Sequence, residues 1–300
     1  MAKRIKRPTG KAPIALLIGV GYTARALIAP LKRYGYHVVG TYRTVEKRAT
    51  LKALGVSPVA YGGEDFMDYL GRANWCLNSI APQENGDPFL RGLTQNFKAV
   101  APHIDWAGYL SATSVYGHRD GGWVFEDDLL YPRTKRGRYR TFAELDWLES
   151  GAPVHIFRLA GIYGPELGGL ARNPFTRLQN GTARKIIKSG HCVNRIHVKD
   201  IAQALMASLA QPNPVSIYNL ADDMPAPPQD VLDYAAELLN VAPLPSIAYE
   251  EAELSDMARS FYQETKRVSN ARAKSDLGWV PLYPSYREGL KAILKTGKIT

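Results

Sequence analysis

Two glycines and a small residue, Gly19, Gly21 and Ala24, follow the apolar run Leu16-Leu17-Ile18. This is the spacing of a G-x-G-x-x-G/A turn, which holds the pyrophosphate of a dinucleotide. Gly19 permits the sharp turn out of a strand. Gly21 lets a phosphate approach the backbone, and Ala24 lets the next helix lie close to that strand. The first turn of the helix, with Tyr22 and Thr23, directs unpaired N–H groups and the positive end of its dipole at the phosphates. About 20 residues beyond the glycines, an NAD site places an acid on the ribose hydroxyls. Here the chain reads Val39-Gly40-Thr41-Tyr42-Arg43, with Lys47 and Arg48 soon after and no acid at the strand end. A guanidinium there suits a 2′-phosphate, so the residues predict NADP in preference to NAD. The competing reading makes Arg43, Lys47 and Arg48 a solvated helix start, partly neutralised by Glu46.

Alternating elements must position this turn. Residues 14–18 form an unbroken apolar run, as a buried strand requires. Ala24, Leu27, Ile28 and Leu31 share one face of the following helix, with Pro30 late in it. Strand-like segments recur at 36–42, 56–61, 75–80, 106–111, 154–159 and 215–220. Helix-like segments at 45–54, 66–70, 90–104, 141–149 and 200–209 separate them. Such alternation predicts an α/β fold, a Rossmann-type doubly wound parallel sheet with ligands at the carboxyl ends of its strands. After Gly161, glycine and proline become frequent, and an amphipathic helix is predicted over 231–239. The expected organisation is a nucleotide-binding domain over 12–160 plus 192–222, and a smaller C-terminal substrate lobe over 161–191 plus 223–300.

Composition narrows the functional classes. Of the 300 residues 45% are hydrophobic and 22% charged, as in ordinary globular enzymes. The formal net charge is +10, but half of it comes from Lys3, Arg4, Lys6, Arg7 and Lys11, in a segment read as a basic disordered tail over 1–11. The rest suits an anionic cofactor and substrate, and no nucleic-acid-binding motif is present. No apolar stretch reaches the roughly 18–20 residues of a membrane helix. Cys76 and Cys192 form neither a disulfide framework nor a metal-ligand pattern, which points to the cytoplasm.

Further along, several stretches carry a family resemblance. They are Gly19-Val-Gly-Tyr-Thr-Ala24, Tyr109-Leu-Ser-Ala-Thr-Ser-Val-Tyr-Gly117, Phe157-Arg-Leu-Ala-Gly-Ile-Tyr-Gly-Pro165, Arg195-Ile-His-Val-Lys-Asp-Ile-Ala202 and Tyr218-Asn-Leu-Ala-Asp-Asp223. In this order they resemble the short-chain dehydrogenase/reductase superfamily. The closest likeness is to its atypical and extended members, the NAD-dependent epimerase/dehydratases and nucleoside-diphosphate-sugar epimerase-like proteins. Tyr283-Pro-Ser-Tyr-Arg-Glu-Gly-Leu290 resembles the tail of a subgroup of these. The resemblance implies a loop at Asn78, Ser79 and Ala81 beside the adenosine ribose and pyrophosphate. It also implies a small-molecule substrate and the dimerisation common among relatives.

The resemblance further implies a catalytic Ser/Thr and a Tyr-x-x-x-Lys pair, in which the lysine lowers the phenol pKa and the tyrosine moves a proton as hydride is exchanged. Here the pattern departs. The Ser/Thr position falls on Ala112, between Ser111 and Thr113. The Tyr and Lys positions fall on Arg136 and Arg140, and arginine is a poor proton shuttle. Thr113, Tyr116 and Tyr139 are the hydroxyls left to polarise a carbonyl or carry a proton, and Arg136 and Arg140 could clamp an anion. A literal Tyr131-x-x-x-Lys135 also occurs, but Pro132 disfavours a helical backbone at Tyr131. Arg158, Asn173 and Arg195 are candidates to hold substrate. The expectation is an NADP-dependent oxidoreductase or epimerase-like enzyme acting on a small polar, sugar-like substrate. The alternative is a non-catalytic NADP(H)-binding sensor or scaffold.

Overall fold

Strands of the predicted type assemble into one sheet in the computed structural model, which describes residues 12–299. The tail expected over 1–11 lies outside the described residues. The sheet strands are β1 (Ile14–Ile18), β2 (His37–Tyr42), β3 (Ser57–Ala60), β4 (Ala73–Asn78), β5 (Trp106–Ala112), β6 (Val154–Leu159) and β7 (Ser216–Leu220). Their order is β7-β6-β5-β4-β1-β2-β3, and all neighbours are parallel. The chain winds outward from β1 to β3 and then returns to lay β4 on the other side of β1. The winding direction therefore reverses beside β1, where open α/β sheets bind their ligands.

Both faces of the sheet are covered, so β1 is buried at every residue. Successive side chains go to opposite faces. Ala15 and Leu17 join Leu27, Leu31, Trp106, Phe157 and Leu205 in one core. Leu16 and Ile18 join Phe66, Phe89, Tyr109 and Trp147 in the other. Helix α1 (Tyr22–Arg33) buries Ala24, Leu27, Ile28 and Leu31, the face the spacing predicted. Pro30 sits inside the helix without ending it.

A third cluster gathers Tyr163, Phe175, Val231, Tyr234, Tyr286 and Leu290, from both segments of the expected substrate lobe. Within 223–300, however, Val268, Ala273, Leu277 and Trp279 pack into the first core of the sheet. Two helix readings also change. The helix expected from 141 starts at Lys135, because Thr134 Oγ1 accepts from the Gly137 N–H at 3.1 Å and caps it. The helix expected over 90–104 is divided into Pro88–Gly92, Thr94–Val100 and a 3₁₀ turn at Ala101–His103, the last holding Pro102.

Candidate functional site

The glycine turn leaves β1 at the winding reversal. Gly19 adopts φ +80°, where a side chain is strained. Its N–H donates to Thr41 Oγ1 at 2.8 Å, and its carbonyl accepts from Ser79 Oγ at 2.6 Å. The ends of β2 and β4 therefore clamp it from both sides. Gly21 precedes α1 in an extended conformation and supplies no side-chain cap. A Cβ placed on Gly21 would meet no atom within 4 Å, so that position opens onto free space. Ala24 is fully buried, as close helix–strand packing requires. Tyr22 turns its side chain away: its buried hydroxyl donates to the Pro165 carbonyl at 2.7 Å, and burial pushes its pKa up. Thr23 is buried as well.

A cleft of about 370 Å³ lies over this turn, lined among others by Gly21, Arg25, Thr41, Arg43, Lys47 and Tyr61. Among the described residues its lining holds three cations and no carboxylate. The Arg43 guanidinium sits 4.9 Å from the centre of the Tyr61 ring, a cation–π contact that orients an otherwise exposed side chain. Among the described residues, Glu46 forms no ion pair with Arg43, Lys47 or Arg48. A hydrogen bond with the Thr44 side chain holds its carboxyl below the usual range. Ile80, rather than Ala81, lines the cleft.

A second cleft, of about 360 Å³, opens at the carboxyl ends of β5 and β6. Ala112, Thr113, Arg136 and Arg140 line it, together with Glu264 and Lys266. Arg136 and Arg140 stand one turn apart on the Lys135–Leu148 helix, on the same face. Arg136 donates to Ser260 Oγ at 3.0 Å and lies over the Phe261 ring. Arg140 donates to the Leu110 carbonyl and, at 3.4 Å, to the Tyr109 hydroxyl. Buried Lys266 donates to the Gly117 carbonyl and to Glu264 Oε2, both at 2.8 Å. Burial lowers its ammonium pKa.

A third cavity, about 620 Å³, adjoins the second and shares Gly161, Val193 and Phe261 with it. Its volume is that of a small-molecule site. Arg172, Arg177, Arg184 and Arg195 line it, and again no carboxylate does. Arg195 donates to the Val193 and Ala226 carbonyls, both at 2.9 Å, and burial lowers its pKa. Asn173 also lines the cavity and caps the Pro174–Gln179 helix, its Oδ1 accepting from Phe175 N at 3.1 Å. Burial, reinforced by surrounding cations, brings the buried His191 to about 4, so this imidazole is neutral at pH 7.

Several expected site residues are committed elsewhere. Arg158 is buried and donates to both Glu144 oxygens, to the Tyr116 hydroxyl at 2.9 Å and to the Glu126 carbonyl at 3.0 Å. Tyr116 is fully buried, donates to Asn219 Oδ1 at 2.7 Å and is pushed up to about 12 by burial. Arg158 is therefore a core ion-pair partner and not a substrate contact, and Tyr116 does not line either adjoining cleft. Ser111 donates to Glu144 in the same network. Asn78 is likewise buried, donating to Asp87 Oδ2 at 2.6 Å and accepting from Ile80 N at 2.9 Å. It fixes the strand exit and makes no contact with a cleft. Tyr131 is exposed and precedes the helix, whereas Lys135 begins it, so the two do not stack. Tyr139 is half-buried and outside the second cleft.

The spacing did not disclose Glu264, Lys266, Arg172, Arg177 or Arg184. Glu264 and Lys266 arrive from a segment about 120 residues beyond the helix they face. The only local trace was an acid and a base two positions apart, flanking the short strand Arg267–Val268.

No family model matches the chain. The fold is nevertheless one shared with solved epimerases and with a putative NAD-dependent epimerase/dehydratase. The chain superposes on a UDP-glucuronic acid 4-epimerase from Bacillus cereus, solved in complex with NAD, with a TM-score of 0.71 at 16% identity, covering 94% of this chain and 99% of that one. Much nearer is a functionally unknown conserved protein from Silicibacter pomeroyi, at 44% identity and a TM-score of 0.90 over 96% of this chain and all of that one. The chain belongs to the same family as this protein. It is also 29% identical to Protein YeeZ of Escherichia coli (strain K12) over 242 residues, 76% of this chain and 84% of YeeZ. Among the described residues no helix is long and apolar enough to cross a membrane, and no cluster of side chains is arranged to hold a metal ion.

Proposed function

We propose that this protein is an NADP-dependent oxidoreductase or epimerase-like enzyme acting on an anionic, sugar-nucleotide-like substrate, with Ala112, Arg136 and Arg140 in place of the Ser-Tyr-Lys triad. One observation carries the reading. The cleft over the glycine turn presents Arg25, Arg43 and Lys47 and no carboxylate. The residues fit a dinucleotide: Gly19 has the positive φ of the turn, the Gly21 position opens onto free space, and no acid stands in the first turn of α1 to repel a phosphate. The backbone of Gly21, Tyr22 and Thr23 would hold the pyrophosphate, and Arg43 with Lys47 the 2′-phosphate. The four arginines of the third cavity, which adjoins the second cleft, suit a diphosphate-bearing substrate. That the Bacillus cereus epimerase is a sugar-nucleotide enzyme in complex with NAD supports the same class.

A second reading, an NADP(H)-binding protein without catalysis, is favoured by one observation: among the described residues no tyrosine lines the second cleft. Thermal unfolding tests the cofactor reading common to both. A ligand that binds only the folded state raises the midpoint. NADP⁺ is expected to raise it at concentrations where NAD⁺ does not. Equal shifts with both would contradict the 2′-phosphate assignment. No shift with either would overturn the cofactor reading.

A further inference from the structure

The second cleft has arginines where a proton carrier is needed, yet it contains an acid that the family pattern does not supply. Glu264 lines it, with its side chain only 9% exposed. One carboxylate oxygen, Oε2, accepts from Lys266 Nζ at 2.8 Å. The other, Oε1, is shut off from solvent and accepts no hydrogen bond among the described residues. A buried oxygen without a partner is costly, and calls for a proton or a ligand donor.

The pair is held in place on both sides. Lys266 Nζ also donates to the Gly117 carbonyl, in the loop that directly follows the Thr113–Tyr116 turn. The Thr265 carbonyl accepts from Arg119 N at 3.0 Å and Gly121 N at 3.2 Å, and Thr265 N donates to His118 Nδ1 at 3.0 Å. The segment is thereby fastened to the end of β5. The other titratable groups around the pair are Arg119, Arg136, Arg140, His118, His191 and Cys192.

We propose that Glu264 is the proton carrier of this site, with Lys266 as its positioning residue. The inference rests on the NADP-dependent reading above. NADP⁺, when bound, supplies the hydride acceptor. As the substrate's C–H bond breaks and its electron pair leaves as hydride, the O–H proton passes to Glu264 Oε1 and the carbon becomes a carbonyl. In the reverse direction Glu264 returns the proton to the oxygen as hydride is delivered to the carbon. Lys266 holds Oε2, so that Oε1 alone exchanges the proton.

The test uses the full-length protein, NADP(H) and UDP-glucuronic acid. Calorimetry measures the affinity for each ligand. Performed in two buffers of different ionisation heat, it also counts the protons exchanged when the sugar nucleotide binds. Absorbance follows nicotinamide reduction in a single turnover. Glu264→Gln is expected to bind both ligands within about twofold of wild type, to lose the binding-linked proton exchange, and to transfer hydride at least about 100-fold more slowly. Glu264→Asp should recover part of the rate. Lys266→Met should lower kcat with KM unchanged and without abolishing turnover, because Oε2 loses the donor that holds it, and Lys266→Arg should recover part of the rate. Hydride transfer in Glu264→Gln at the wild-type rate would overturn the proposal. So would a wild type that binds NADPH but exchanges no hydride with the sugar nucleotide. A wild type that binds no NADPH overturns the cofactor reading itself, which the NADPH titration reports separately.

Discussion

The two ends of the candidate site are built in opposite ways. The cleft over the glycine turn comes from residues 19–61 plus Ile80, most of it one continuous stretch of chain. The second cleft comes from β5, the helix at 135–148, the end of β6, residues 192–194 and residues 260–266. Phosphate binding needs backbone geometry and charge, which a short motif encodes. Proton transfer needs one side chain at one point, and any element that reaches the point can deliver it. The first cleft therefore keeps the glycine-turn spacing read from the sequence, while the second has no such local signature.

The largest expected effect concerns residues that separate the two regions by being structural. Arg158→Met leaves the Glu144 carboxylate buried beside a missing cation. It should lower the unfolding free energy by about 3–5 kcal/mol in urea titrations. A stable Arg158→Met protein with weakened substrate affinity would return Arg158 to the site. Next, Gly21→Ser places a side chain in the free space of the first cleft. Serine is at least as good a helix cap as glycine. The unfolding midpoint should hold or rise slightly while NADPH binds at least about tenfold more weakly. Loss of stability without loss of affinity would make the turn a purely structural feature.

The third effect is a pH dependence. Burial raises the Asp222 carboxyl to about 8; among the described residues Oδ2 has no hydrogen-bond partner, and Oδ1 accepts from Met224 N at 3.3 Å. The folded protein then holds a proton that the unfolded chain has released, so this group's contribution to stability falls as pH rises from about 4 to about 8. Asp222→Asn removes that dependence. The stability difference, variant minus wild type, should grow in the variant's favour across this window, as read from unfolding midpoints at pH 5, 6.5 and 8. A constant difference would contradict the assignment.

The legible part of the molecule was the part set by period and turn chemistry. The alternation of Ala15, Leu16, Leu17 and Ile18 between two cores follows from a strand buried on both faces. Gly19 and Gly21 follow from φ and from free space. Asn78, Tyr116 and Arg158 were misread because a polar residue at a strand end can serve a ligand or a buried network, and spacing does not separate the two. Asp87, Asn219 and Glu144, which lie 9, 103 and 14 residues from them in sequence, decide the matter. Glu264 and Lys266 were invisible for the complementary reason, since only the folded chain brings residues 264–266 onto Gly117.

Arg43 bears most directly on the central claim, that the first cleft selects a 2′-phosphorylated dinucleotide. The decisive measurement is a calorimetric titration of wild type and Arg43→Ala with NADPH and with NADH. The account predicts that wild type binds NADPH at least about tenfold more tightly than NADH. Arg43→Ala should lose that preference through weaker NADPH binding alone, by the 1.5–3 kcal/mol or so of a charge-assisted hydrogen bond. Its unfolding midpoint should stay nearly unchanged, because the guanidinium is exposed and its partner is the half-buried Tyr61 side chain. Equal affinity of wild type for the two cofactors, or an Arg43→Ala protein that keeps the preference, would contradict it.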